Sequence, residues 1–251
     1  MNYSRWQPEG GDWSEMIEFH RVTLENCDQA RGVVVVIDVL RAFTTAAFAF
    51  DAGAEEIILV STLEQARELK RRDSQLMLTG ENHGWKPADF DFGNSPLEFL
   101  DQDLHGARLV QRTSAGTQGV VRSSSAENLF AASLCCARGT VDAIRTLKPA
   151  HVTFVLTGVM EGGLGDEDAA CADYLEALLR SEPINLDLIE ERVRNSGWGL
   201  RFNDQQYPFL NRRDLDFCLQ MDRFPFAMPV QKSGDRQVMR AVFHASASDN
   251  V

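Results

Sequence analysis

The chain has 251 residues, 44% of them hydrophobic and 25% charged, which is ordinary for a globular protein and long enough for one large buried core. With 37 acidic against 25 basic side chains the net charge is -12, so no electrostatic footprint for DNA or RNA exists and a nucleic-acid partner is excluded. No run approaches the roughly 18 apolar residues of a membrane span, which excludes a membrane-embedded helix.

Residues 1–31 read as an N-terminal extension. Trp6, Pro8, Gly10, Gly11 and several acids replace the basic start and apolar centre of a signal peptide. Residues 33–38 are an apolar run closed by Asp38, the pattern of a strand buried on both faces of a parallel sheet. A helix is predicted over 42–51 with Gly53 after it, then a strand over 56–60. The next helix spans 62–71, with Thr62 as its cap and a Glu68/Arg72 pair on its solvent face. Further strands are predicted over 75–79, 108–111, 128–131 and 152–156, each followed by a loop and a helix. This alternation is the rhythm of a three-layer α/β/α fold with a mainly parallel sheet. Residues 83–97 form a loop long enough to be functional. Residues 32–180 are therefore expected to form the α/β core that carries any active site. Residues 181–251 read as a C-terminal elaboration packed on it, with a helix over 213–221 and a polar tail.

Ligands of parallel α/β sheets sit outside the carboxyl ends of the strands. That rule collects Asp38 and Arg41, Gly80 and Glu81, residues 112–117, Ser133, and residues 157–168. Asp38, Glu81 and Asp168 offer the hard oxygens that Mg²⁺ prefers. Arg41 and Arg112 offer planar forks for an anion. Thr113, Ser114, Ala115, Gly116 and Thr117 offer hydroxyls and backbone N–H groups at a predicted helix start. Each member also has a plain structural reading. Asp38 alone is as well explained as a helix cap, and Asp166, Glu167 and Asp168 as favourable charges at a helix N-terminus. Cys135 and Cys136 read as small buried residues rather than nucleophiles. Convergence at one end of one sheet is what favours a site. Two phosphatase patterns do not fit: Leu40 stands where the haloacid-dehalogenase type has its second Asp, and no Cys-x5-Arg occurs. Five cysteines without a CxxC pair suit a reducing, cytoplasmic setting.

The run from Val35 through Asp38 and Arg41 to Thr45, then Gly80-Glu81, then Asp91 to Phe99 with Asn94 and Ser95, resembles the 2-phosphosulfolactate phosphatase (ComB-like) family. Thr113 to Thr117 is similar to that family's Thr-Thr-Asn-Gly-Thr segment, and Glu167 to Ala172 to its Glu-Asp-x-x-Cys-Ala segment. The likeness runs in order to residues 224–230. It implies a Mg²⁺-dependent hydrolase that removes phosphate from 2-phospho-3-sulfolactate, a step toward coenzyme M. Ala115 stands where the family has Asn, and Arg112 where a small residue is common, so substrate identity is the open point. The resemblance leads to specific expectations. Asp38, Glu81 and Asp168 hold the metal, with Asp38, Arg41 and Glu81 catalytic. Arg112, Thr113, Ser114, Gly116 and Thr117 bind phosphate, and Asn94 and Ser95 orient the acid group. The expected partner is a small anionic metabolite, with symmetric self-association the default for a soluble enzyme. A metabolite-binding protein without catalysis and a phosphatase for a different phosphorylated hydroxyacid are the alternatives.

Overall fold

Val33–Ile37 is apolar at every position and every residue of it is buried, as a central strand covered by helices on both faces must be. Around it the computed structural model, which describes residues 13–158 and 165–243, arranges an α/β protein. In chain order the elements are β1 (Glu18–Thr23), β2 (Val33–Ile37), α1 (Ala42–Asp51), β3 (Glu56–Leu59), α2 (Leu63–Arg72) and β4 (Met77–Gly80). After the long loop come β5 (Arg108–Arg112), α3 (Gly116–Arg122), β6 (Asn128–Ala132), α4 (Ala137–Leu147), β7 (His151–Leu156) and α5 (Asp166–Arg180). The remainder holds α6 (Leu186–Asn195), α7 (Gly197–Arg201), α8 (Arg212–Cys218), β8 (Phe226–Ser233), β9 (Arg236–Met239) and β10 (Val242–Phe243).

Local chemistry accounts for the boundaries. At α2 the Thr62 side chain accepts from Gln65 N at 3.1 Å, the cap the sequence predicts, and the Gln65 side chain accepts in turn from Thr62 N at 3.1 Å, which makes the cap reciprocal. Arg72 and Glu68 pair at 2.6 Å on the exposed face. β4 begins at Met77 instead of residue 75 because Asp73 takes Gln75 N on its side chain and Leu76 N on its carbonyl. That side-chain turn consumes the residues between helix and strand.

The strand order is β1-β7-β2-β6-β8-β9-β3-β5-β4, with β10 on β8. β1, β7, β2 and β6 are mutually parallel, and so are β3, β5 and β4. The antiparallel β8–β9 hairpin joins these two blocks. Two findings here lie beyond the sequence reading. The segment read as an N-terminal extension supplies an edge strand, and the C-terminal segment does more than pack on the core, because β8 and β9 enter the sheet. Pro229 lies within β8 opposite Phe130, and a proline argues against a strand when only sequence is read.

The three layers are set by side-chain alternation. Val33, Val35 and Ile37 pack with residues of α4 and α5 such as Ile144, Tyr174 and Leu175. Val34 and Val36 pack with Phe43, Ala46 and Ala47 of α1 and Val120 of α3. That second cluster also contains Ile57, Leu59 and Leu109 of the other block. α1 and α3 therefore lie against both blocks, while Ile58, Leu78 and Val110 face the outer α2 side with Ala66. The ladders give the two blocks opposite senses, so the sheet turns through the β8–β9 hairpin, and residues following β2, β7, β4 and β5 meet at one cleft. No helix among the described residues is long and apolar enough to cross a membrane.

Candidate active site

β2 delivers Asp38, 7% exposed, to the floor of a cleft of about 490 Å³. The side chain does two things at once. Its Oδ1 accepts from Ala42 N at 2.9 Å, fastening the start of α1, which is the capping role. Its Oδ2 faces Gly116, where an added Cβ would stand 2.8 Å away. Burial pushes the Asp38 carboxyl up to about 6, the nearby Glu81 charge adds to the rise, and the Ala42 and Gly116 N–H groups oppose it.

Glu81 follows β4 across Gly80, a residue at φ +126° whose Cβ would lie 1.9 Å from Arg112 O. Glycine is required there by both conformation and space. The Glu81 carboxylate is fully engaged: it accepts from Gly84 N at 2.6 Å, from Ser114 Oγ at 3.0 Å and from Ser114 N. Its structural effect is to clamp the loop after β5 to the loop after β4. Asp168, from the first turn of α5, reaches back to the strand ends. Oδ1 accepts from Val39 N at 2.9 Å and Oδ2 from Gly158 N at 2.7 Å. Its pKa is raised well above the ordinary value by burial, with the Glu167 and Asp38 charges adding to it.

Glu167 is the residue that sequence reasoning undervalued as a helix-end charge. It is 1% exposed and lines the cleft. Its Oε2 is buried with no hydrogen-bond partner among the described residues. Burial raises its pKa too, with Asp38 among the charges contributing. Gly158 admits it, since a Cβ there would meet Glu167 Oε1 at 2.4 Å. Four buried carboxylates thus share one cleft.

Arg41 also lines the cleft, but part of its fork is already committed. Nη1 donates to Asp214 Oδ2 at 2.5 Å and Nη2 to Phe209 O at 3.3 Å. Asp214, fully buried in α8, also accepts from Ser95 Oγ at 2.6 Å. This ties the 94–97 loop to Arg41. Asn94 lines the cleft, and its Oδ1 is a second buried oxygen without a partner among the described residues. The lining also carries apolar and aromatic side chains, those of Leu24, Leu40, Trp198, Tyr207, Phe209 and Leu210. Phe209 lies over Gly84, where a Cβ would stand 2.3 Å from the ring.

Asp38, Arg41, Glu81, Asn94, Thr113, Ser114 and Asp168 therefore meet at the cleft, whereas Ser95, Arg112, Gly116 and Thr117 do not line it. Those four support it from behind. Ser95 holds Asp214. Arg112 donates to Glu81 O at 2.7 Å and Asn82 Oδ1 at 3.1 Å. Thr113 and Thr117 satisfy each other, N to Oγ1, at 2.9 and 3.1 Å. Ser133 hydrogen-bonds Thr44 at 2.6 Å, also outside the cleft. All five cysteines are free and buried. Residues 159–164 of the predicted strand-end set lie outside the described residues.

Gly116 provides a direct test of how tightly this floor is built. In Gly116→Ala the new methyl meets Ala42 Cβ at 2.8 Å and Asp38 Oδ2 at 2.8 Å, so the carboxylate must move. Where a site is catalytic, a misplacement of about 1 Å costs about 100-fold in rate. The expected result is a kcat loss of that order with an unchanged far-UV circular dichroism spectrum.

The donor set suits a hard cation. It is all oxygen, it carries excess negative charge, and one carboxylate oxygen and one amide oxygen are buried and unpartnered. Among the described residues, no three cleft carboxylates place ligand oxygens mutually within 4.8 Å. An ion here would take one or two carboxylates directly and reach the others through water, as Mg²⁺ commonly does.

Comparison with known proteins bears on the chemistry. The sequence model of a family described as 2-phosphosulpholactate phosphatase matches residues 19–233. A protein of Carboxydothermus hydrogenoformans described as "Probable 2-phosphosulfolactate phosphatase" is 37% identical over 238 residues, covering 91% of this chain and 96% of its own. Proteins of the same description from Bacillus subtilis and a Synechococcus species are 31% and 38% identical, over 80% and 75% of this chain and 88% and 84% of theirs.

Proposed function

Since the chain belongs to the 2-phosphosulfolactate phosphatase family, whose named reaction is hydrolysis of a phosphate monoester, we propose that it is a Mg²⁺-dependent phosphatase for 2-phospho-3-sulfolactate or a closely related phosphorylated acid. The observation that carries the metal dependence is the buried carboxylate group of Asp38, Glu81, Glu167 and Asp168 beside unpartnered oxygens. A multiply anionic substrate cannot enter such a field unless a cation reverses its sign.

Glu167, through its unpartnered Oε2, and Asp168, through lone pairs beyond those that take Val39 and Gly158 N–H, would hold Mg²⁺, with Asp38 and Glu81 completing the acidic surround directly or through water. When bound, Mg²⁺ neutralises charge on the phosphoryl oxygens. Arg41, anchored by Asp214, presents its remaining N–H groups to the phosphate. Asp38 Oδ2, on the side away from the Oδ1 bond that fastens α1, would accept the proton of the attacking water as that oxygen bonds to phosphorus, and the departing ester oxygen would take up a proton from solvent. Glu81 keeps Ser114 at the rim, and Asn94 orients the acid group of the substrate.

One observation favours the variant reading in which the acid is a different one. The wall of Trp198, Tyr207, Phe209 and Leu210 offers more apolar surface than a three-carbon sulfonate covers, and Arg41 is the sole Lys or Arg among the described residues lining the cleft. A panel of phosphorylated 2-hydroxyacids, sulfonated, carboxylated and aromatic, ranked by kcat/KM with Mg²⁺ present, tests the substrate. The proposal expects 2-phosphosulfolactate at the head. An aromatic phosphoacid ahead of it establishes the variant, and no phosphate release from any member overturns both.

A further inference from the structure

Among the described residues, one set of three His, Cys, Asp or Glu side chains does bring its ligand atoms mutually within 4.8 Å, and it lies away from the cleft: Glu18, His20 and His151. The edge of the sheet creates it. Glu18 stands opposite His151 in the parallel β1–β7 ladder. His20, two residues further along β1, falls on the same face as Glu18 because side chains alternate along a strand.

The separations suit a small tetrahedral ion. Glu18 Oε2 lies 3.2 Å from His151 Nδ1 and 3.9 Å from His20 Nε2. Bonds of about 2.0 to 2.1 Å in tetrahedral geometry place neighbouring donors about 3.3 Å apart. The backbone is fixed by six paired residues of the ladder, while the three side chains are exposed and free to close the remaining gap by rotation. An exposed ion pair needs one imidazole and contributes about 1 kcal/mol or less; here two imidazoles converge on one carboxylate oxygen. His20 and His151 also line a second cleft, of about 690 Å³, which includes Gly32, Val33, Asn128 and Ala150. It lies at the amino ends of β2, β6 and β7, the opposite end of that block from Asp38.

We propose that Glu18, His20 and His151 form a three-ligand site for a borderline divalent ion, zinc foremost, with its fourth position open to this second cleft. Two imidazoles and one carboxylate select such ions over Mg²⁺, so the site is chemically distinct from the acidic one and independent of the function proposed above.

The test is a ZnCl2 titration of the whole protein against a chromophoric chelator, in saturating Mg²⁺ so that the acidic cleft is occupied. Wild type is expected to take one Zn²⁺ per chain. The His20→Ala/His151→Ala double variant is expected to bind at least about 10- to 100-fold more weakly, the range that even outer partners of metal sites command, with phosphate release unchanged. Asp38→Asn is expected to titrate as wild type. As a second reading on the unaltered protein, one equivalent of Zn²⁺ should shift the imidazole NMR signals of His20 and His151 and leave those of His83 and His105 in place. Equal Zn²⁺ affinity in the double variant, or imidazole signals of His20 and His151 that do not move, overturns the proposal.

Discussion

Asp38→Asn is expected to abolish phosphate release, by about three orders of magnitude or more, and at the same time to make the metal-free protein more stable. The rate loss follows from removing a proton acceptor and a buried charge at the reacting centre, effects that reach about 10²- to 10⁴-fold for general bases alone. The stability gain follows from proton linkage. The Asp38 carboxyl is pushed up to about 6 by burial, against about 3.9 in an unfolded chain. Between these values the folded state binds more protons than the unfolded one. Stability therefore falls as pH rises through this window, and the penalty is complete above about pH 6. Two units correspond to at most about 3 kcal/mol. Asparagine keeps an oxygen for Ala42 N and carries no charge, so its fold escapes the penalty. In EDTA at pH 7.5 the variant should melt a few degrees higher, and near pH 4 the two melting temperatures should converge. A variant that melts at or below wild type at pH 7.5 would contradict the burial of that charge. Such a gain at the expense of activity is what a functional site built from uncompensated charge predicts.

The second large effect is expected at the Arg41–Asp214 pair. The two side chains are 5% and 0% exposed and meet at 2.5 Å, and Asp214 also accepts from Ser95 Oγ. Asp214→Ala strands the guanidinium in the interior and unties the 94–97 loop. Breaking a buried pair by removing one partner costs about 3 to 5 kcal/mol, which denaturant unfolding would show as a lower midpoint at unchanged slope. The double variant Arg41→Met/Asp214→Leu removes both charges, and apolar replacement of a buried pair is often neutral. It should recover most of the stability but none of the activity, because the phosphate loses its guanidinium. Recovery of turnover in the double variant would remove Arg41 from the catalytic set. Loss of less than about 1 kcal/mol in Asp214→Ala would show that the pair is not desolvated as the geometry indicates.

The sequence disclosed the parts of this site that depend on local order. Asp38 closes an all-apolar strand, and the strand-end rule brings it together with Glu81 and Asp168 without any knowledge of distances. Thr62 shows its cap at the head of a solvated helical pattern, although its reciprocal partner Gln65 emerges only in the structure. Legibility ends where long-range packing decides. Glu167 carries the same helix-end pattern as Asp166, yet burial and Gly158 turn Glu167 into the cleft, while Asp166 pairs with Arg192 at 2.6 Å. Asp214 lies 173 residues from Arg41, and no spacing could announce that contact. Thr113 and Thr117 looked like free hydroxyls for an anion; their mutual bonding is a property of the turn they make. β8 and β9 were hidden by Pro225, Pro229 and Gly234, residues that interrupt a strand pattern although the hairpin that contains two of them joins the two halves of the sheet.

Four buried carboxylates and a cation are proposed to open this cleft together to a phosphorylated acid. The decisive measurement is phosphate release from 2-phosphosulfolactate with protein stripped by EDTA and then titrated with MgCl2. No release from the stripped protein and a saturable return of activity with Mg²⁺ are expected. Full activity in the stripped protein, unchanged by added Mg²⁺, would overturn the metal dependence.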